Sequence, residues 1–303
     1  MSEAKRIAEK LDGVWEGGEW RCQCPRHGGH SLFLRDGPNG KLLAKCFGRG
    51  CSWDEILEGL RKQGLVGRAP NGGDVKSQEE LRRLEEKRAK AEAERLHRRT
   101  ARARDLYRKG EPAAQTPAEC YLRMRGITLP VPSVLRFLPN CWHRPDPGYG
   151  QTYYPAMLAP IVNVRGEQIG VHKTFLKPDG SGKADLPKEL QRETCGSFKT
   201  GAIRLAPVGA RLLIAEGIET ALAAMQMFGL PGWAAICSTG IETLELPTEV
   251  REVVIAADHD EKRAGQHAAR IAQKRWQSEG RSVRILLPPN IGEDFNDVLL
   301  AGR

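Results

Sequence analysis

Residues 211–217, "RLLIAEG", and residues 252–260, "EVVIAADHD", decide the fold. Each is an apolar run of strand length that stops at carboxylates, Glu216 in the first and Asp258 with Asp260 in the second. Runs this uniformly apolar suit strands buried on both faces. The chain around them alternates. A helical pattern at 218–229 follows the first run, and a short strand "GWAAICS" (232–238) leads to a turn and short helix. A helical pattern at 264–280 follows the second run, and "SVRILLPP" (282–289) leads into "EDFNDVLLAG" (293–302). This alternation predicts an α/β unit with a mostly parallel sheet and helices on both faces. Ligands of such sheets bind outside the carboxyl ends of the strands. Glu216, Asp258 and Asp260 are therefore expected on one rim, with Asp294 and Asp297 beside them after the last strand.

Carboxylates two residues apart on an extended stretch point the same way, so Asp258 and Asp260 are expected to hold one hard cation between them. Mg²⁺ (or Mn²⁺) takes one or two protein carboxylates plus substrate phosphates, which points to metal-dependent phosphate chemistry. Glu216 either joins these ligands or acts as general base on an attacking hydroxyl. Asp294 and Asp297 hold a second ion or orient the first. Gly217 permits a sharp turn after Glu216 into a helix whose N-terminus suits a phosphate.

The N-terminal 66 residues carry a second constellation. Cys22-Gln-Cys24-Pro-Arg-His27 and Cys46-Phe-Gly-Arg-Gly-Cys51 flank a stretch with two β-like runs, "SLFLRD" and "KLLAKCF". Two tight turns held by a hairpin offer two ligands each, the pattern of a structural zinc ribbon. The best quartet is Cys24, His27, Cys46 and Cys51, with Cys22 competing for one place and His30 a weaker competitor. Four protein ligands leave no open position for catalysis.

The expected organisation is a ribbon domain at 1–66, a linker and charged basic helix at 67–112, an α+β middle domain at 113–207 and the α/β domain at 208–303. The middle domain starts on a helix capped by Thr116 with Pro117 at its first turn. Short β-like runs follow at "SVLRFLP", "AMLAPIVNV", "QIGVHKTFL" and "AIRLAPV". Residues 76–109 hold thirteen Lys/Arg against seven Asp/Glu, whereas residues 208–303 hold ten against thirteen. The interleaved charges of 76–109 read as an exposed single helix, either a solvated spacer or an arm for nucleic acid. Arg98, Arg99, Arg102 and Arg104 are its densest arginine cluster. The formal net charge of +9 fits a polyanion held by a basic body and processed by an acidic, cation-loaded unit. No apolar stretch approaches a membrane span, and the charged N-terminus does not read as a signal peptide, so a cytoplasmic protein without membrane contact is expected.

The C-terminal unit resembles the Toprim domain of bacterial-type primases, topoisomerases and some nucleases, on Glu216-Gly217 and on Asp258 with Asp260. The strings "EGIETALA" and "DFNDVL" look closest to Toprim proteins of phages, plasmids and integrated elements. The N-terminal unit resembles the zinc ribbon of phage and plasmid primases. The middle unit, with "GVHKTFL" and "GAIRLAP", is similar to the segment that precedes Toprim in those proteins. The resemblance implies a DNA primase, a nucleotidyltransferase making short RNA primers on a single-stranded DNA template from nucleoside triphosphates during DNA replication. It implies Glu216, Asp258 and Asp260 as the catalytic acidic metal site. Asp294, Asn296 and Asp297 match a more variable acidic segment. Bacterial primases place an Asp four residues after the motif Glu; here that position is Thr220, preceded by Glu219. His172, Lys173, Lys199 and Arg204 are candidate triphosphate or template contacts. A metal-dependent nuclease uses the same carboxylates on water, and a non-catalytic adaptor would load a separate helicase. The chain has no G-x-x-x-x-G-K-[ST] loop of its own, so a replicative helicase would be a separately encoded partner. Topoisomerase chemistry is disfavoured because all five tyrosines lie outside the Toprim-like unit.

Overall fold

The computed structural model describes residues 2–37, 40–67, 78–143, 153–261 and 263–302. It divides into two compact units, Met1–Glu85 and Glu86–Arg303.

In the first unit, helix α1 (Glu3–Lys10) precedes an antiparallel sheet of β1 (Val14–Glu16), β2 (Glu19–Cys22), β3 (Leu32–Asp36) and β4 (Leu42–Cys46), in that spatial order. Strand alternation puts Cys22, Leu32, Leu34 and Cys46 on one face, against Ile7, Leu11 and, from helix α2 (Trp53–Lys62), Ile56 and Leu60. Ser52 and Glu55 form a capping box that starts α2. Two strands go beyond the two β-like runs read in the sequence. Gly17 and Gly18, both at positive φ, form a two-residue turn that pairs β1 with β2, a hairpin signal in the sequence itself.

Helix α3 (Gln78–Lys109) crosses the division between the units. Its last turns are not a free solvated helix. Ala103 is buried in a cluster with Leu158, Val171 and Phe175. Thr100 Oγ1 donates to Ile169 O (3.3 Å), and Tyr107 OH donates to Val134 O (2.8 Å). Small and half-apolar residues one turn apart give a narrow docking stripe, which the surrounding charge hides from a composition reading.

The second unit holds two sheets. One is antiparallel, in the order β5 (Glu111–Pro112), β6 (Arg136–Trp142), β7 (Tyr153–Val162), β8 (Gln168–Phe175) and β9 (Arg192–Gly196), with helix α4 (Pro117–Met124) against it. Thr116 caps α4 and Pro117 opens it, as expected. The other sheet has the order β10 (Ile203–Arg204), β12 (Gly232–Ala234), β11 (Arg211–Ala215), β13 (Glu252–Ala256) and β14 (Ser282–Leu286). All its pairings are parallel except β10 with β12. The run "AIRLAPV" is shared between the sheets: Ala202 bridges Val162 of β7, and Ile203 and Arg204 form the antiparallel edge of the C-terminal sheet.

Alternation along β11 explains the layers. Leu213 and Ala215 face α5 (Ile218–Phe228) and α8 (Phe295–Ala301) in a core continuous with α4. Leu212 and Ile214 face α6 (Ser238–Thr243) and α7 (Ala264–Ser278), whose Trp276 is fully buried. From β11 the chain passes first to β12 on one side and then to β13 on the other. The carboxyl ends of β11 and β13 thus flank the point where strand order reverses, where a crevice forms. Among the described residues no helix is long and apolar enough to cross a membrane.

Candidate functional site

A cavity of about 610 Å³ opens at that point, lined by Glu216, Gly217, Glu219, Thr220, Asp258 and Asp294 together with Arg125, Lys183, Lys188, Gln191 and Arg192. Glu216 follows β11 directly. Its Oε2 accepts a hydrogen bond from Ser238 Oγ at 2.9 Å. Burial raises the Glu216 pKa, against the lowering effects of Ser238 and Arg192. The turn that delivers Ser238 is strained: Ile236 has φ +79°, a backbone cost of about 1–3 kcal/mol for a β-branched residue. Helix α5 begins at the cavity on Gly217, an N-cap with no side chain of its own to bond the first turn.

Asp258 lies two residues beyond β13. Burial first, then the charges of Glu216, Asp294 and Asp260, push its pKa up to about 7. Its Oδ1 is buried with no hydrogen-bond partner. Crowded carboxylates with one orphaned oxygen are the donor set of a divalent cation. His259 fastens this loop to the one before α8, its Nδ1 lying 2.9 Å from Pro288 O.

Asp260 does not share the direction of Asp258. Strand β13 ends at Ala256, so the two-residue periodicity does not extend to this pair. Both Asp260 oxygens accept from the first amides of α7, Ala264 N and Gly265 N, each at 2.9 Å. Asp260 reaches the cluster through its charge, which raises both Glu216 and Asp258. Asp294 and Asp297 form the capping box of α8. Asp294 still borders the cavity, accepting from Thr220 Oγ1 at 3.3 Å. Asp297 is exposed, with Oδ2 bonded to Asp294 N at 3.0 Å.

The other candidate contacts scatter. His172 is buried beside Thr194 Oγ1 (3.1 Å), and burial lowers its pKa to about 4. Lys173, buried, pairs with Glu193 at 2.7 Å. Arg204 donates to Asn163 O at 2.6 Å and stacks over Trp233. These three are committed inside the fold and do not line the cavity. Lys199 and Arg99 border a separate groove of about 350 Å³, and Arg99 also donates to Gly196 O (3.0 Å). Arg104 donates to Gln168 O (2.9 Å), while Arg98 and Arg102 are exposed on α3. The sequence reading missed Ser238 and the whole basic wall. The lysine-rich stretch 183–192, "KADLPKELQR", was its only local signal.

In the first unit, one ligand atom from each of Cys24, His27, Cys46 and Cys51 lies within 4.8 Å of the others. His27 Nε2 stands 3.2 Å from Cys46 Sγ, and the Cys24 and Cys51 sulfurs are 4.0 Å apart. A Cys₃His quartet at this spacing fits a tetrahedral structural zinc. Cys22 points instead into the core, its sulfur 3.5 Å from Leu32 O, and burial raises its thiol to about 12. His30 turns to Gln23.

Two family models match the chain. Residues 97–205 match a domain of unknown function (DUF7146), and residues 211–303 match a Toprim domain. No curated protein matches. Among solved structures, the chain is similar to a DNA primase domain from Pseudomonas aeruginosa, at 19% identity over 67% of this chain and 74% of that one, with a TM-score of 0.45. It is similar to the zinc-binding and RNA polymerase domains of the Aquifex aeolicus primase, at 17% identity over 99% and 80%, with a TM-score of 0.44. The primase fragment of the bacteriophage T7 primase-helicase protein is similar at 15% identity over 64% and 69%, with a TM-score of 0.39. Strands β11 to β14, with Glu216 and Asp258 at the switch point, thus lie in the stretch of the chain that matches a Toprim domain.

Proposed function

We propose that the chain is a DNA primase, a nucleotidyltransferase that makes short RNA primers on single-stranded DNA, in replication of a phage or plasmid type. The observation that carries this reading is the mixed lining of the cavity. Carboxylates Glu216, Asp258 and Asp294 and the cations Arg125, Lys183, Lys188 and Arg192 line one space of about 610 Å³. A nucleoside triphosphate with its divalent cation needs both groups, one for the metal and one for phosphate oxygens. Glu216 and Asp258 would hold Mg²⁺ or Mn²⁺, with Asp260 and Asp294 adding negative charge around them. The cation supplies neutralisation of the triphosphate and activation of the primer 3′ hydroxyl. Ser238 orients Glu216 by its 2.9 Å hydrogen bond. Arg125 has a buried Nε without a partner and, with Arg192 and Lys188, would steady the phosphates. The 3′ hydroxyl would give up its proton, to Glu216 or to water, and its oxygen would attack the α-phosphorus; a phosphodiester bond forms as the bond from the α-phosphorus to the α,β-bridging oxygen breaks, and pyrophosphate leaves.

The first unit supports a nucleic-acid template. The sheet face away from its core carries Phe33, packed edge-on to Phe47, with Arg21 and Lys45 over those rings. Aromatic rings interleaved with cations suit stacking of unpaired bases. A structural zinc on Cys24, His27, Cys46 and Cys51 would hold that sheet.

The test is purified protein with Mg²⁺ or Mn²⁺, a single-stranded template and labelled nucleoside triphosphates. Short template-dependent RNA, lost on Asp258→Ala, is the expected result. Shortened template would make the protein a nuclease. Tight binding with neither product would make it an adaptor for a separately encoded helicase.

A further inference from the structure

Glu219 is the acidic residue of "EGIETALA" that the metal site leaves unused. It sits in the first turn of α5 and is 5% exposed. Its Oε1 accepts the Tyr121 hydroxyl at 2.5 Å and meets Lys183 Nζ at 3.1 Å. Burial works against its charge, but Lys183 and Tyr121 outweigh it and hold the carboxyl down at about 2. Tyr121 is itself buried on α4. Lys183, by contrast, keeps 23% of its side chain exposed and lines the cavity.

Lys183 belongs to the loop between β8 and β9 that carries the cavity's basic wall. That loop is seated on α4 at Gly180. A Cβ there would stand 2.3 Å from Pro117 O, and its φ is +73°, so only glycine lets the loop come this close. The loop is also held to β7, by Leu176 N donating to Pro155 O at 2.8 Å, by Ala184 and Leu186 in the core, and within itself by Gln191 Nε2 donating to Ala184 O and Leu186 O. Among the described residues, the Lys183–Glu219 pair is the ion pair that joins this loop to the helix following Glu216. Thr220, at the position where bacterial primases place an Asp, is spent on Asp294. The buried acid of this chain is one residue earlier and turned toward the loop.

Resting on the primase reading, we infer that Glu219 is a positioning residue: with Tyr121 it latches the Lys183 side chain in the cavity where the triphosphate of an incoming nucleotide is gripped. An ammonium fixed by a buried carboxylate keeps hydrogens free for a phosphate without losing its place, and the ordering cost is met before the nucleotide arrives.

Two readouts on the full chain test this. Acylation of individual lysines, followed by mass spectrometry, should rise at least about fivefold at Lys183 in Glu219→Gln and stay unchanged at Lys188. Calorimetric titration should find Mg·ATP binding weakened about tenfold in Glu219→Gln, as expected for loss of a charged hydrogen bond, with Mg²⁺ binding alone retained. The variant Lys183→Met should weaken Mg·ATP similarly, and the double variant no further. Should Glu219→Gln not fold, Tyr121→Phe replaces it, with a smaller change in the same direction. Unchanged labelling of Lys183, or additive losses in the double variant, overturns the latch. A wild-type chain that binds Mg²⁺ but not Mg·ATP overturns the nucleotide reading, while the labelling result still decides the latch.

Discussion

Replacing Asp258 by Asn should stabilise the chain above neutral pH and remove its response to Mg²⁺. The fold holds the Asp258 carboxyl at about 7 against an ordinary 3.8, through burial first and then the charges of Glu216, Asp294 and Asp260. A raised folded pKa means the native state prefers the protonated form. That contribution to stability is complete below about pH 4 and is lost as pH climbs through about 7. Three pKa units correspond to at most about 4 kcal/mol, and about 2 kcal/mol after allowing for the solvent that reaches this half-buried group. Asn carries no charge, so the variant escapes the loss. About two thirds of this contribution is lost between pH 5 and pH 8, so scanning calorimetry without added divalent cations should find the difference in Tm, variant minus wild type, growing by about 2–5 °C over that range. Working with the difference cancels the titrating groups that do not couple to Asp258. Added Mg²⁺ at pH 8 should raise the wild-type Tm and leave the variant unmoved. A difference that stays flat with pH, or a variant still stabilised by Mg²⁺, would refute the assignment of a cation to this carboxylate.

Other expectations follow from the same geometry. Cys46→Ser should reduce metal from about one zinc per chain to none by elemental analysis and unfold the first unit, since a structural zinc carries about 10–16 kcal/mol of apparent binding energy; Cys22→Ser should leave the zinc in place. Ser238→Ala should lower kcat for primer synthesis about tenfold with little change in nucleotide KM, because it frees Glu216 without touching the basic wall. The double change Arg98→Ala with Arg102→Ala should weaken single-stranded DNA binding uniformly across sequences and flatten its salt slope by about 1–2. Leu222→Ala, in the core beneath α5, should cost about 2–5 kcal/mol in denaturant unfolding.

The α/β unit was readable because its signal is redundant. Apolar runs, helical periods and strand-end carboxylates agree along nearly a hundred residues, and the parallel order with Glu216 and Asp258 at the switch point follows from them. The ribbon quartet was readable because metal ligands must be close in sequence to form two turns. Asp260 went astray for a local reason. Strand β13 stops two residues before Asp258, and the uncapped start of α7 takes the Asp260 carboxylate as its cap. Arg204 and Lys173 went astray because a cation at strand period looks the same in sequence whether it meets a ligand or a buried carbonyl or carboxylate.

The basic wall shows a deeper limit of such reading. Arg125 ends α4, while Lys183, Lys188 and Arg192 sit in or beside an irregular loop with no period of its own. Tertiary packing alone brings them to one cavity with Glu216: Gly180 against α4, and Glu219 against Lys183. A motif reading compares Thr220 with an expected Asp and finds a loss. The structure instead has Thr220 tying α5 to the start of α8 through Asp294, and a buried acid one residue earlier tying α5 to the loop. Adjacent helical positions lie about 100° apart, so moving the acid by one residue transfers its fastening from one neighbour of α5 to another. The departure at Thr220 therefore bears on how Lys183 is held at the cavity, and Glu216 and Asp258 remain together at the crevice regardless of it.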